Sequence, residues 1–117
     1  MVSLRGATTI SEDQEEELLE AVTELLQHMI DGNGLVIEHI NAIFFSCTKD
    51  IVSAYPARAA RAMGITKASL MCLQEMHVEN SLEKCIRVCI FYNEGLENEI
   101  KHVYLRNAAG LRPDLMK

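Results

Sequence analysis

The chain has 117 residues and a formal net charge of −6, with 49% hydrophobic and 24% charged residues. This length holds a single domain with a modest core, and the composition is ordinary for a soluble globular protein. No apolar run approaches the ~18–20 residues that cross a bilayer, and residues 1–6 lack the apolar core of an export signal. We therefore expect a cytoplasmic protein without a membrane partner. The mildly basic second half carries too few cations for a nucleic-acid surface.

The first half of the chain is predicted to form a strand and a long helix. The strand is expected at about residues 2–8, and Ser11 with Gln14 matches the S-x-x-Q pattern of a helix-capping box. Apolar residues then recur at steps of three and four along a helix of about 20 residues: Leu18, Leu19, Val22, Leu25, Leu26, Met29 and Ile30. The sequence DGNG at residues 31–34 ends this helix, and its acidic residues are interpreted as a solvated face.

The second half is predicted to be richer in strands. Residues 43–48 are apolar almost throughout, which indicates a strand covered on both faces. Pro56 is well placed for the first turn of a short helix over residues 57–63. Further strands are expected at residues 69–73, 84–92 and 100–105. Residues 106–117 form an irregular tail, because a glycine and a proline interrupt them.

These elements predict an α+β fold with α/β-like character: one mixed β-sheet with two helices on one face, in a single domain over residues 1–117. Two helices cover one face of such a sheet at most. Because the strand at residues 84–92 is apolar at nearly every position, the other face also needs a cover. A symmetric oligomer that packs sheet against sheet would provide it.

Arg87 is a candidate functional residue, because the strand that contains it is otherwise apolar. A guanidinium keeps its proton, so it carries its charge wherever the strand places it. Burying that charge unpaired is costly, and the sequence supplies no acid between Glu83 and Glu94. The partner of Arg87 is therefore either a carboxylate from elsewhere in the protein or an anionic ligand.

Other polar residues near strand ends could join a site of this kind. The guanidinium groups of Arg5 and Arg112 match carboxylates two bonds at a time. Tyr104 ends a strand of small and apolar residues, and Glu75 follows another apolar strand. Each arginine could instead pair with a structural acid, and Glu75 could be an ordinary exposed carboxylate.

The four cysteines are interpreted as reduced, buried thiols: Cys47, Cys72, Cys85 and Cys89. A metal site could be drawn from five residues: Cys72, His77, Cys85, Cys89 and His102. However, the spacing of the two cysteines of the strand, Cys85 and Cys89, matches no standard zinc pattern. Alternatively, Cys72 could act as a nucleophile with His77 or His39, although no local signature surrounds it. We expect no metal and no cofactor.

Five short motifs occur in order along nearly the whole chain. They are RGATT at residues 5–9, CLQEM at 72–76, KCIRV at 84–88, HVYL at 102–105 and LRPDL at 111–115. Together they resemble the monofunctional AroH-type chorismate mutases, the bacterial class that is not all-helical. One such motif is a weak signal, whereas five in this order at matching spacing are a specific one.

The resemblance implies a homotrimer whose sheets pack into a pseudo-α/β-barrel, with active sites at the subunit interfaces. It also implies the intramolecular Claisen-type rearrangement of chorismate to prephenate, on the route to phenylalanine and tyrosine. That reaction needs no proton transfer, covalent intermediate or cofactor. The protein contributes a fixed substrate conformer and positive charge where negative charge develops. The alternatives are a non-catalytic trimeric binding protein for a small carboxylate metabolite, and a small imine or enamine hydrolase on a similar trimer.

By the same resemblance, Arg87 faces the ether oxygen and a carboxylate of the substrate. Arg5 and Tyr104 bind carboxylate, and Glu75 with Cys72 orients the ring hydroxyl. Further substrate contacts are expected from the segment that a neighbouring subunit supplies, from the edge of a strand and from the tail: Tyr55, Ala57, Arg58, Arg61, Met71, Leu73, Gln74 and Arg112. The family usually has phenylalanine, lysine and threonine at three of these positions, here Tyr55, Arg58 and Met71.

Overall fold

The computed structural model describes residues 1–111. Within them the chain forms five strands and two α-helices: β1 (Val2–Thr9), α1 (Glu15–Asn33), β2 (Ile40–Cys47), α2 (Ala57–Ala62), β3 (Ser69–Gln74), β4 (Cys85–Tyr92) and β5 (Val103–Tyr104). Two short 3-10 helices, Ile37–His39 and Arg106–Gly110, precede β2 and follow β5. None of the helices in this part of the chain has the length and apolar character needed to span a membrane.

The five strands form one mixed sheet in the order β3-β2-β4-β1-β5. β4 lies at the centre and runs antiparallel to both of its neighbours, β1 and β2. The outer pairs, β2 with β3 and β1 with β5, are parallel. Parallel pairing requires a crossover connection, and α2 lies within the one that joins β2 to β3. The mixed sheet and the two helices confirm the predicted α+β fold.

Both helices pack on the same face of the sheet. The buried stripe of α1 and the buried alanines of α2 share one core with the inward-facing residues of the central strands: Leu4, Ile43, Phe45, Ile86, Val88 and Ile90. At Gly6, a Cβ atom would lie 2.6 Å from Met29 Sδ and 3.0 Å from the Val103 carbonyl oxygen. An added side chain at this position would therefore require Met29 of α1 to shift.

The opposite face of the sheet is open along part of its length in the single chain, apart from a small buried cluster around Ala7, Cys85 and Tyr104. Side chains alternate along a strand, so Arg87 and Phe91 of β4 point to this face while their neighbours enter the core. Phe44 of β2 is 38% exposed here and meets Phe91 edge to face, with ring centroids 5.5 Å apart. The single chain thus covers only one face of residues 43–48, and the cover predicted for the other face depends on the expected oligomer.

The start of α1 also differs from the prediction. Gln14 is the residue before the helix, and it makes no side-chain cap. The amide and the hydroxyl of Ser11 instead donate to the Glu17 carboxylate, at 2.7 Å and 2.9 Å. The predicted capping box is wrong because Ser11 lies too far before the helix to cap it. The hydrogen bond from the Ser11 amide to Glu17 instead holds the segment that leads into the helix.

The last strand, β5, is shorter than the predicted range of residues 100–105. Asn33, at the end of α1, binds the Lys101 backbone in both directions. Its Oδ1 accepts from the amide at 2.8 Å and its Nδ2 donates to the carbonyl oxygen at 2.9 Å. These backbone groups are therefore bound to a side chain rather than to a strand. The predicted irregular tail begins with the 3-10 helix Arg106–Gly110, and Arg112 lies outside the described residues.

Candidate functional site

Arg87 lies near the middle of the open face, on the central strand. In register with it are Ala7 on β1 and Ser46 on β2. The Arg87 side chain is 45% exposed, so its charge is partly hydrated in the single chain. The strand that carries this charge is otherwise apolar. Because successive side chains point to opposite faces of a strand, the neighbours of Arg87 enter the core while its guanidinium stays exposed.

Glu75 is the carboxylate that faces Arg87. Although β3 ends at Gln74, the Glu75 amide still donates to the Cys47 carbonyl oxygen at 2.8 Å. Its Oε1 accepts a hydrogen bond from the Ser46 hydroxyl at 2.6 Å and lies 3.6 Å from Arg87 Nε. The ion pair is long and partly exposed to water, so it adds little to the stability of the fold.

Arg5 lies on the other side of β4. It is in register with Cys89, two residues along β4 from Arg87, so the two arginines share the open face. The Arg5 amide donates to His102 Nδ1 at 2.9 Å, next to the parallel pairing of β1 with β5. The backbone that carries Arg5 is thus held by two neighbouring segments.

Tyr104 completes this group from the edge of the sheet. It is buried in a small second cluster with Ala7, Cys85 and Ala108. A cavity of about 250 Å³ opens beside it on the open face, lined by Arg5, Gly6, Phe44, Ser46, Glu75, Arg87, Val88, Cys89 and Tyr104. The structure therefore brings together four of the residues proposed as catalytic.

Cys72 is not part of this cavity. It is in register with Phe45 and packs against the main core, on the face of the sheet that carries the helices. It lines a separate cavity of about 660 Å³, together with residues 47–49 and 51–56, Arg58, Leu73 and Gln74. A joint role of the Cys72 side chain with Glu75 stays a prediction.

Of the remaining candidate substrate residues that the structure describes, four line this second cavity: Tyr55, Arg58, Leu73 and Gln74. Tyr55 is 70% exposed, and Arg58 forms an ion pair with Glu15 of α1. Ala57 is buried within α2. The others are exposed on α2 and on the edge strand: Arg61, Met71, Leu73 and Gln74.

Three of the four thiols are held in their protonated form by burial. Burial raises the pKa of Cys47 to about 12. It raises the pKa of Cys85 to about 11, although the nearby Arg87 charge acts in the opposite direction. Burial also raises the pKa of Cys89, against the charge of Arg5. These thiols are poor nucleophiles and poor metal ligands at neutral pH.

The histidine alternatives gain no support from the described residues. Within residues 1–111, no group of three or more histidine, cysteine, aspartate and glutamate side chains is placed to hold a metal ion. His39, one of the two predicted partners of a Cys72 nucleophile, lies 3.4 Å from the Glu94 carboxylate. The contact of His39 in the structure is therefore with a carboxylate.

Phe44 and Ser46 also line the cavity, although neither was predicted from the sequence as a site residue. A signal was present, because Ser46 is a polar residue within an apolar strand and lies two positions from Phe44. The missing information was the register between β2 and β4, which alone places Ser46 beside Arg87.

Two guanidinium groups, a phenol and one carboxylate around a small cavity suit a ligand that carries more than one negative charge. The fold and this cavity thus define an α+β protein with an arginine-lined cavity on an open sheet face.

Comparison with known proteins identifies the family. Residues 1–115 match the family chorismate mutase type I, and the chain belongs to it. It is 41% identical over 114 residues to chorismate mutase AroH of Thermus thermophilus, which covers 96% of this chain and 93% of that protein. The corresponding protein of Bacillus subtilis (strain 168) is 39% identical, with coverage of 96% and 90%. The solved structure of a chorismate mutase from Clostridium thermocellum has a TM-score of 0.87 and 44% identity, over 92% of this chain and 97% of that one. The resemblance of the five motifs is confirmed.

Proposed function

We propose that this protein is a chorismate mutase that rearranges chorismate to prephenate in the biosynthesis of phenylalanine and tyrosine. Membership of the family supports the reaction. The observation that carries the proposal is the single cavity lined by Arg5, Arg87, Tyr104 and Glu75. A substrate with two carboxylates needs fixed cations on more than one side, and the two arginines supply them.

The reaction breaks an ether C–O bond while a C–C bond forms within the same molecule. Negative charge develops on the ether oxygen in the transition state, so a cation that is already in place lowers the barrier without reorganising. Arg87 suits this role because its backbone is hydrogen-bonded to strands on both sides. Arg5 and Tyr104 bind carboxylate and hold the compact conformer in which the reacting carbons meet.

In the same proposal, Glu75 orients the ring hydroxyl of the substrate. A carboxylate accepts a hydrogen bond from a hydroxyl group strongly, and Glu75 lies at the rim of the cavity opposite Arg5 in the strand order. Since the Ser46 hydroxyl binds Oε1, the second oxygen of Glu75 is the natural acceptor for the substrate.

We also propose that the active protein is a homotrimer with sites at the subunit interfaces. The cavity of about 250 Å³ is smaller than the roughly 300–1,000 Å³ of typical ligand pockets. Apolar side chains beside it are exposed, among them Phe44, Met71 and Leu73. A neighbouring subunit that contributes the segment with Tyr55, Arg58 and Arg61 would both enclose the ligand and cover these residues.

A cytoplasmic location remains a prediction of the same proposal. The four cysteines are free thiols in the structure, which suits a reducing compartment.

The test is the loss of chorismate absorbance with purified protein, with Arg87→Ala as the control. We expect turnover by the unaltered protein and a large loss in the variant, with prephenate identified as the product. A non-catalytic carboxylate-binding protein or an imine hydrolase would leave chorismate unchanged. Equal rates in the two proteins would also contradict the proposal.

A further inference from the structure

Ser46 contacts the Glu75 carboxylate that lines the cavity, and the proposed function gives Ser46 no contact of its own with the substrate. Its hydroxyl donates to Glu75 Oε1 at 2.6 Å, whereas Arg87 Nε lies 3.6 Å from the same oxygen. The first distance is that of a strong hydrogen bond to an ionised acceptor, and the second is longer than a hydrogen bond. The serine, rather than the arginine, therefore holds this oxygen.

We propose that Ser46 is a positioning residue for the mutase reaction, which keeps the Glu75 carboxylate away from a close pairing with Arg87. The inference rests on the proposed function and deepens it. An arginine and a carboxylate at this separation would otherwise close to a two-bond pair, which is their preferred geometry. Such a pair would direct the positive charge of Arg87 to the protein instead of the substrate.

The fold fixes Ser46 well enough for this role. It lies within β2, in register with Arg87 on one side and Leu73 on the other, so strands on both sides hold its backbone. The Glu75 backbone is tied to the next residue of β2, since its amide donates to the Cys47 carbonyl oxygen. Serine and glutamate are thus attached to one hydrogen-bonded segment, and their contact does not depend on a mobile loop.

Two contacts to the substrate, at its ring hydroxyl and at its ether oxygen, depend on this arrangement. With Oε1 held by Ser46, the other carboxylate oxygen is left to accept from the ring hydroxyl, and Arg87 is left to face the ether oxygen. Without the serine hydroxyl, Glu75 turns toward Arg87, and both contacts to the substrate weaken together. Because the Arg87 contact strengthens in the transition state, the loss falls mainly on kcat rather than on KM.

The first experiment compares Ser46→Ala with Ser46→Thr, which keeps the hydroxyl. We expect kcat to fall roughly tenfold or more in the alanine variant, as for loss of a hydrogen bond to a charged group, and to recover most of this loss in the threonine variant. Ser3→Ala is the matched control, because Ser3 is an exposed serine of β1 in register with Phe91, outside the cavity lining. Its kcat should equal that of the unaltered protein.

The second experiment separates positioning from a general structural role through a double-mutant cycle with Glu75→Ala. If Ser46 acts through Glu75, Ser46→Ala lowers the residual kcat little further once Glu75 is absent. A full additional loss in that background would overturn the proposal, and so would an unchanged kcat in Ser46→Ala alone. If the alanine variant does not fold by circular dichroism, Ser46→Cys replaces it, since a thiol is a weak donor of similar shape. Absence of chorismate turnover in the unaltered protein would instead refute the proposed function.

Discussion

The charge of Arg87 is only loosely satisfied by the chain that carries it. Its contact with Glu75 is 3.6 Å long, and nearly half of the side chain is exposed. Such a pair stabilises the fold little, so the residue is free to serve a ligand. The planar guanidinium also offers two parallel hydrogen bonds to one carboxylate, which an ammonium cannot do.

Arg87→Lys should therefore lower kcat/KM by roughly a hundredfold or more, as expected when one preorganised donor is lost from a transition-state site. The measurement is the initial rate of chorismate loss. Arg106→Lys is the control, because Arg106 pairs with Glu24 of α1, at 3.3 Å, and lines neither cavity described above. Retention of activity by the Arg87 variant would show that a point charge is sufficient.

For single residues, the sequence predicts which side chains belong to the site better than it predicts which of them contact each other. Arg87 could be selected because it is a permanent charge among apolar residues. Glu75 could be named as a candidate, but its contact with Arg87 depends on two strand registers, β3 with β2 and β2 with β4. Register is set by the packing of whole strands, so no local pattern contains it.

Among the elements, β1 and α1 pack closely at Gly6. A methyl group added there would lie 2.6 Å from Met29 Sδ and 3.1 Å from Leu25 Cδ1. Gly6→Ala should therefore reduce the free energy of unfolding by about 1–3 kcal/mol, the usual cost of overpacking a core. Urea denaturation measures this change.

Gly32→Ala is the matched substitution for that experiment. Gly32 lies within α1 with nothing within 4 Å of an added Cβ. Alanine there should raise the free energy of unfolding by about 0.4–1 kcal/mol, because it restricts the unfolded chain. Equal effects of the two substitutions would contradict the packing described for Gly6.

The loop before α2 is held by an acid that precedes α1. Asp13 accepts hydrogen bonds from the amides of Val52, at 2.9 Å, and Ser53, at 3.3 Å. Burial alone would raise the pKa of Asp13, but hydrogen bonds from Ser53 and Val52 outweigh it and hold the pKa below its usual value. Asp13 thus positions the segment that leads to Tyr55, in contrast to the predicted solvated face.

Asp13→Ala should lower the free energy of unfolding at neutral pH by on the order of 1 kcal/mol, since exposed charged hydrogen bonds are weakened by water. A carboxylate with a lowered pKa in the folded state stabilises that state at higher pH, and the contribution is lost as pH falls through the folded pKa. The difference between variant and unaltered protein should therefore shrink below about pH 4. Glu20→Ala, at an exposed position of α1, is the control for the loss of a negative charge.

The element boundaries show where sequence patterns suffice. The apolar period of α1 predicted its buried face, because that face is read from one continuous segment. The short β5 could not be predicted, since Asn33 binds the Lys101 backbone from a position 68 residues earlier. A side chain that replaces a strand partner leaves no periodic signal.

For the whole molecule, the open face is the surface that the proposed neighbouring subunits would cover. Exposed apolar side chains lie on or beside it, and the two cavities carry different parts of the predicted site. If sites form between subunits, light scattering should give about three times the 13.1 kDa chain mass. A monomer at micromolar concentration would contradict the trimer.

Mixing two inactive variants tests the shared site directly. Arg87→Ala removes a residue of one cavity, and Arg61→Ala removes one that the neighbouring subunit is proposed to supply. If subunits share a site, co-refolded mixtures should regain part of the activity, because some interfaces then contain both native arginines. Mixtures that stay as inactive as each parent would show that every site is built within one chain.

The central place of β4 in the strand order has a consequence for how the site loses its structure. Backbone amides at the middle of a sheet exchange with solvent most slowly, whereas those of edge strands open first. Arg87 belongs to the first group, and Glu75 and Tyr104 lie on or just beyond the edge strands β3 and β5. Local opening at either edge would therefore separate the Arg87 guanidinium from these neighbours while β4 stays paired, so the proposed contacts to the substrate would be lost before the whole sheet unfolds.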